Sequence, residues 1–186
     1  MPLLHTGKHD GGLGTGLALS GSLRGRSKNT ALLEAAQVVA PSGVKVSMFR
    51  GLPDLPPFNP DHEERPPPPV LDFQRALAQA DALLICCPEY AHGVPGAFKN
   101  ALDWVVGSGE LVNKPVGLLN ASATGEYAQD SLRETLTVMS ARLVPAACLR
   151  VAVPGPVRPA ALLATLPEVA GTLRTVLQAL MQDVRL

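Results

Sequence analysis

Short apolar runs alternate along the chain with longer segments whose apolar residues recur at helical spacing. The runs at residues 16–20, 82–87, 116–120 and 146–153 are apolar apart from Ser20, Asn120 and Arg150, whereas 44–49 alternates between apolar and polar positions. A continuous apolar run is typical of a strand buried on both faces, as in a parallel sheet beneath helices. The alternating segment predicts a further strand, nearer the edge of the sheet.

Helices are predicted between and after these strands, over residues 29–40, 70–80, 94–106, 126–143 and 160–184. Residues 50–69 contain too many prolines for a helix or a central strand, because proline lacks the amide donor, and they predict a long loop. The order is therefore βαβ-loop-αβαβαβα. This order predicts an α/β fold: a doubly wound, five-stranded parallel sheet with helices on both faces.

Length and charge narrow the class of protein. The 186 residues predict one domain, over residues 15–186, after a disordered leader at 1–14 that lacks the pattern of a secretory signal. Sixteen basic residues balance sixteen acidic ones, and aromatic residues make up 4%. This composition argues against nucleic acid and against an anionic membrane as partners, and no apolar segment has the length of a membrane span.

The three cysteines, Cys86, Cys87 and Cys148, lie inside apolar runs. We expect all three to be buried, reduced thiols of an intracellular protein, which predicts a cytoplasmic location. Cys86 and Cys87 are adjacent, so they should point to opposite faces of their strand. No Cys/His ligand spacing supports a metal site.

Polar residues and cations fill the loop after the first strand, at 20–30, and lead directly into a helix. The N-terminus of a helix offers unpaired backbone amides and a positive dipole end, so this loop predicts an anion site suited to a phosphate monoester. The alternative is an N-cap turn with solvated cations. The P-loop pattern is absent, and Gly12 to Gly16 precede the strand, where they cannot cradle a dinucleotide. The candidate side chains are Ser22, Arg24, Ser27, Lys28, Asn29 and Thr30.

A second polar loop, from Pro88 to Gly93, follows the third strand. Open α/β sheets bind ligands at the carboxyl ends of their strands, so this loop and the first predict one shared site. The backbone amides of the second loop could face a planar heterocycle, with Gly93 allowing close approach. Alternatively, Glu89 and Tyr90 merely end the strand.

The two loops together resemble the NADPH-dependent FMN reductase family, flavodoxin-like enzymes that include quinone, chromate and azo-dye reductases. The resemblance covers roughly residues 16–153. It is carried by Gly21-Ser22-Leu23-Arg24 with Ser27-x-Asn29, by Pro88-Glu89-Tyr90, by Pro95-Gly96-x-x-Lys99-Asn100-Ala101-x-Asp103-Trp104, and by Leu52-Pro53 with Pro57-Phe58-Asn59-Pro60-Asp61. Where relatives often carry more glycine, this chain has Ala121-Ser122-Ala123-Thr124-Gly125.

The resemblance implies a flavodoxin-like fold that holds FMN non-covalently. Its phosphate would be held by Ser22, Arg24, Ser27 and Asn29. The ring edge would lie against Pro88, Glu89, Tyr90, Ala91, His92 and Gly93, with Ser122 and Gly125 touching the ring or the ribityl chain. No catalytic side chain is implied, since the flavin N5 carries the chemistry.

The resemblance also implies the reaction. Hydride would pass from NADPH or NADH to bound FMN, and then to a quinone, azo, metal or free-flavin acceptor, in a homodimer or homotetramer. One alternative is a flavodoxin-type electron carrier without its own substrate, although such carriers are generally acidic and this chain is neutral. Another alternative, suggested by the altered loop at 121–125, is a scaffold that kept the fold and lost FMN.

Three side chains near the second loop have structural interpretations of their own. Lys99 and Asp103 are spaced to pair across one helical turn. Trp104, the only tryptophan, is expected to anchor the core or a subunit interface. His92 is expected to be an exposed loop residue or a ligand contact, with proton donation to a quinone as the alternative.

Overall fold

The computed structural model describes residues 14–153 and 155–184. Apart from Gly14, with which the first strand begins, the leader predicted at 1–14 lies outside these residues. The strands are β1 (Gly14–Ser20), β2 (Val44–Met48), β3 (Ala82–Cys86), β4 (Pro115–Leu119) and β5 (Arg142–Leu143). The α-helices are α1 (Lys28–Val39), α2 (Pro68–Gln79), α3 (Gly96–Asp103), α4 (Tyr127–Val138), α5 (Ala160–Thr165) and α6 (Pro167–Asp183).

The strands form one five-stranded sheet in the order β2-β1-β3-β4-β5. Every neighbouring pair is parallel, which confirms the predicted fold class. The chain reverses its winding direction between β1 and β3, and ligands bind at such switch points, outside the carboxyl ends of the strands. This order therefore places the loops after β1 and β3 side by side.

Two apolar cores lie on opposite faces of the sheet, as a doubly wound fold requires. Leu84 and Cys86 of β3 pack with α1, α5 and α6. Leu83 and Ile85 face the other way, with Cys87 on the same side, and pack with α2, α3 and α4. The expected opposite orientation of Cys86 and Cys87 is confirmed, and both are buried free thiols. Cys148 is also free but only partly buried, so the expectation that all three are buried was wrong there.

The fifth strand differs from its prediction at 146–153. Strand β5 comes earlier, at Arg142–Leu143, and a 3₁₀ helix at Pro145–Ala147 then interrupts it. Proline at 145 causes the break because it cannot donate to a ladder hydrogen bond. Beyond the break the chain runs beside β4 again, where the Val151 amide donates to the Asn120 carbonyl oxygen at 2.8 Å.

Two helices also differ from their predicted ranges. The helix predicted at 126–143 ends at Val138, two residues before Ser140 takes a positive φ of 59°. The predicted helical tail at 160–184 is divided into α5 and α6, because Pro167 begins a new helix and disfavours helical backbone in the residue before it. No helix in the described part of the chain combines the length and apolar character needed to cross a membrane.

The proline-rich loop ends at residue 67, two residues earlier than predicted, because α2 begins at Pro68, and it is anchored to α3 and the residue that follows α3. The Trp104 indole N–H donates to the Pro56 carbonyl oxygen at 2.7 Å, and the Phe58 ring meets the indole edge-on. Asn100 accepts from the Phe58 amide at 2.7 Å and donates to the same Pro56 oxygen at 2.9 Å. Trp104 is 4% exposed and anchors the core, as expected, and Lys99 pairs with Asp103 at 2.5 Å, as predicted.

We expect Asn100→Ala to destabilise the fold by about 1–3 kcal/mol, because the substitution leaves a half-buried Phe58 amide without its acceptor. Urea denaturation measures the change, and limited proteolysis should show faster cleavage within residues 50–67. Lys99→Ala is the matched control on the same helix. It removes only an exposed ion pair and should cost less than about 1 kcal/mol. Equal stability losses for the two variants would contradict the assigned role of Asn100.

Candidate functional site

A cavity of about 530 Å³ opens at the carboxyl edge of the sheet, a size typical of small-molecule and cofactor sites. It joins the start of α1 to the loops after β3 and β4 and to the chain beside β4. Its lining residues are Lys28, Asn29, Pro88, Glu89, Ala121, Ser122, Ala123, Thr124, Gly125, Ala152 and Val153. Of the predicted site residues, the structure thus brings together Asn29, Pro88, Glu89, Ser122 and Gly125. Tyr90, Ala91, His92 and Gly93, also predicted, are not among the cavity's lining residues.

The other residues predicted for the first loop lie around the same turn, facing two adjoining cavities. Ser22 and Arg24 line one of about 180 Å³. Ser27 lines another of about 330 Å³, together with Arg26. The loop from residue 21 to the start of α1 therefore separates three concave surfaces, and its cations border all of them.

The hydroxyl groups of the first loop hold its turn. Ser27 is the N-cap of α1, and its Oγ accepts from the Thr30 amide at 3.4 Å. The Ser22 Oγ accepts from the Arg24 amide at 3.3 Å, and the Ser20 and Thr30 hydroxyls lie 2.8 Å apart. The N-cap interpretation is thus confirmed for Ser27. It does not exclude an anion, since the first turn of α1 carries no acidic residue and its leading amides have no acceptor within the helix.

Lys28 and Asn29 are fixed to neighbouring elements at the cavity wall. The Lys28 ammonium donates to the Val153 carbonyl oxygen at 2.7 Å, which ties α1 to the chain that follows β5. The Asn29 amide oxygen accepts from the Cys86 thiol at 3.2 Å. That contact leaves the NH₂ group of Asn29, a double donor, available to the cavity.

Burial keeps the two thiols at the end of β3 protonated. It raises the pKa of Cys87 to about 12. Burial likewise raises the pKa of Cys86 far above its ordinary value, and the neighbouring Cys87 adds to that shift. A protonated Cys86 can donate to Asn29, as observed, whereas a thiolate could not.

Gly21 brings the first loop against the end of β3. Its amide donates to the Cys86 carbonyl oxygen at 2.9 Å. A Cβ at this position would lie 2.2 Å from the Cys87 sulfur, so a side chain could fit only if the two segments moved apart. This close approach makes glycine necessary at the first position of the loop.

The loop after β3 forms a tight two-residue turn. The Tyr90 and Gly93 backbones exchange hydrogen bonds of 3.0 and 2.9 Å. Between them, Ala91 and His92 have φ angles of 50° and 58°, the pattern of a type I′ turn, for which glycine and asparagine are the usual residues. A left-handed backbone costs other residues about 1–2 kcal/mol each, so this turn is strained. A Cβ at Gly93 would make only ordinary contacts within the protein, so the close approach of a ligand there stays a prediction.

Two side chains of this loop pack onto the first turn of α4. Glu89 accepts from the Ala128 amide at 3.0 Å and so caps a helix that lacks a capping side chain of its own. The His92 ring stacks on the Tyr127 ring, with centroids 4.3 Å apart and planes inclined by 20°. Gly125, which has a φ of +92°, lies so close that a Cβ there would be 3.3 Å from the Glu89 Cβ.

Asn120, which the sequence prediction treated only as the end of a strand, organises the loop after β4. This buried side chain accepts from the Ser122 amide at 2.9 Å and donates to the Gly125 carbonyl oxygen at 2.8 Å. Arg150 supports the loop from outside by donating to the Ala123 carbonyl oxygen at 2.5 Å. The signal for Asn120 was present in the sequence, because an asparagine before a stretch of small residues is typical of an Asx turn.

The site as a whole offers donors for a phosphate beside a wall for a flat group. Arg24, Arg26 and Lys28 precede or begin α1, where the helix dipole favours an anion. Ala121 and Pro88 give the cavity an apolar lining next to backbone amides and carbonyl groups. This combination suits a phosphorylated planar heterocycle.

Comparison with known proteins agrees with this geometry. The model of the NADPH-dependent FMN reductase family matches residues 16–153. The chain is 37% identical over 130 residues to an NAD(P)H-dependent FMN reductase of Pseudomonas aeruginosa, covering 66% of this chain and 69% of that protein. It is 32% identical over 135 residues to a quinone reductase of Escherichia coli, covering 69% and 72%.

A solved structure shows the same fold. The flavoenzyme NAD(P)H:(acceptor) oxidoreductase of Paracoccus denitrificans superimposes with a TM-score of 0.71 at 24% identity, over 92% of this chain and 97% of that one. The family model spans most of the sequence, and the matched segments cover more than two thirds of the length of each relative. The chain therefore belongs to the NADPH-dependent FMN reductase family of flavin oxidoreductases.

Proposed function

We propose that this chain is an NAD(P)H-dependent FMN oxidoreductase whose acceptors are quinone-type small molecules. The observation that carries the proposal is the single cavity in which the cationic start of α1 meets the loops after β3 and β4. The likeness to a quinone reductase supports the class of acceptor. Azo compounds, metal ions and free flavin are the other acceptors to be tested.

The first loop fits the phosphate of FMN. Arg24 is exposed and carries a planar donor fork that matches phosphate oxygens. Ser22 and Ser27 use hydroxyl lone pairs to accept backbone amides, so the O–H of each remains to be donated. Asn29 adds its NH₂ group, which the Cys86 thiol leaves available.

The loops after β3 and β4 would hold the ring. When bound, FMN supplies the hydride chemistry of the reaction. Tyr90 and Gly93 use their amides on each other. Among the described residues, by contrast, the amides of Ala91 and His92 have no protein acceptor, so they are the donors available to a ring oxygen. Ser122 and Gly125 line the cavity of about 530 Å³ together with Pro88 and Glu89, which directly precede this turn, and Asn120 holds both in place.

The chain would act as one FMN-binding domain over residues 15–186, within a homodimer or homotetramer. The oligomer is carried over from the family resemblance, and the exposed Val106, Val112 and Val138 are apolar side chains that a second subunit would cover. Three free cysteines support the reducing environment of the cytoplasm.

The proposed function predicts that the purified protein carries FMN, or takes it up on incubation, and that NADPH or NADH bleaches the visible flavin absorbance without oxygen. Adding a benzoquinone should restore that absorbance through many turnovers. An absorbance that dithionite bleaches but neither nicotinamide does would indicate an electron carrier. Failure to bind FMN would exclude both functions and leave a fold without its cofactor.

We expect Arg24→Ala to weaken FMN binding by roughly ten- to a hundredfold, because a hydrogen bond to a charged group contributes about 1.5–3 kcal/mol. Quenching of flavin fluorescence measures the affinity. Riboflavin, which lacks the phosphate, should bind the variant and the unmodified protein equally well. Arg174→Ala, an exposed position on α6, serves as the charge-matched control. An equal loss of affinity for riboflavin would show that Arg24 does not act on the phosphate.

A further inference from the structure

The turn at Ala91 and His92 has a shape that its own residues do not favour. Both have positive φ angles, and neither is glycine or asparagine. Such strain persists only where surrounding contacts impose it. The hydrogen bonds between Tyr90 and Gly93 close the turn, but other two-residue turns with the same closing bonds are known, so those bonds alone do not select this form.

Two contacts from α4 reach this turn. Tyr127, the first residue of that helix, stacks face to face on His92. Its neighbour Ala128 donates to Glu89 at the other end of the turn. The turn is therefore tied to one helix end on both sides, by an aromatic stack and by a hydrogen bond.

Tyr127 has no part in the core that would explain this contact. It is 60% exposed, and its removal would leave no internal cavity. It also lies outside the sequence motifs that carry the family resemblance. The stack on His92 is the ring contact that Tyr127 makes in the described part of the chain.

We infer that Tyr127 is a positioning residue for the flavin ring: by stacking on His92 it holds the left-handed turn that follows the cavity-lining Pro88 and Glu89 and whose free amides would face the bound ring. The inference rests on the proposed function. Without the stack, the turn relaxes toward forms in which Ala91 and His92 have negative φ, and these amides move. The fraction of molecules ready to bind the ring then falls, and the apparent affinity falls by the same factor.

The first test compares Tyr127→Ala with Tyr127→Phe in the full-length protein, by flavin fluorescence quenching. We expect Tyr127→Ala to weaken the binding of FMN and of riboflavin by the same factor, between about two- and tenfold, which is the range of an aromatic pair. Tyr127→Phe keeps the ring and should bind like the unmodified protein. The melting temperature of the flavin-free Tyr127→Ala variant should match that of Glu134→Ala, an exposed control on the same helix.

The second test restores the turn by another route. Adding Ala91→Gly to Tyr127→Ala should recover most of the lost affinity, because glycine adopts a positive φ without steric cost. Ala146→Gly, an exposed alanine in the 3₁₀ helix after β5, should recover none.

Three results would overturn the inference while leaving the proposed function intact. These are unchanged flavin binding in Tyr127→Ala, an equal loss in Tyr127→Phe, and no rescue by Ala91→Gly. Failure of the unmodified protein to bind either flavin would instead reject the proposed function, and the inference with it.

Discussion

The register between β1 and β3 is the constraint on which the whole site depends. Ser20 lies opposite Cys86, so the two strands end at the same level, and the pairing continues by one further hydrogen bond from Gly21 to Cys86. Both loops consequently leave the sheet from adjacent positions. A slip by one residue would exchange the two faces of β3 and would move the polar loops apart. Close packing in the two cores opposes such a slip, because every residue of this strand is buried and each would have to fit a space shaped for a side chain of different size.

The second level of organisation is polar and joins loops that are distant in sequence. Glu89 connects the loop after β3 to α4, and Asn120 closes the loop after β4 on itself. Lys28 connects α1 to the chain beside β4. Each bond uses a backbone group that a loop would otherwise leave unpaired at the edge of the cavity. The walls of the cavity are therefore held by hydrogen bonds between separate elements, two of which are made by the lining residues Lys28 and Glu89.

Most of the fold could be predicted from the sequence, because each buried parallel strand corresponds to a short apolar run that is visible in the sequence itself. The fifth strand was misplaced because the break at Pro145 separates two segments of one strand, and the apolar run beyond it looked more continuous than the strand itself. The prediction that Cys148 is buried was wrong for the same reason, since this residue lies just after the break, where the chain is partly exposed.

The candidate site was predictable in its loops and less so in its supports. The motifs around Ser22 and Pro88 marked which loops meet, and the cap at Ser27 follows from local chemistry. The roles of Glu89 and Asn100 were not predictable from the sequence. Their hydrogen-bond partners lie 39 and 42 residues away, and a local sequence pattern does not indicate a hydrogen bond between such distant residues. The positive φ angles at Ala91 and His92 were not predictable either, because neither residue type indicates a left-handed backbone.

The buried thiols at the end of β3 have a consequence for a protein that would handle electrophiles. Quinones react with thiolates by addition to the ring, and the thiolate, not the thiol, is the nucleophile. With the pKa of Cys87 raised to about 12 by burial, and that of Cys86 also strongly raised, almost none of either sulfur is ionised at neutral pH. The same burial that packs the sheet would therefore make these two thiols poor nucleophiles toward the quinone acceptors proposed for the protein.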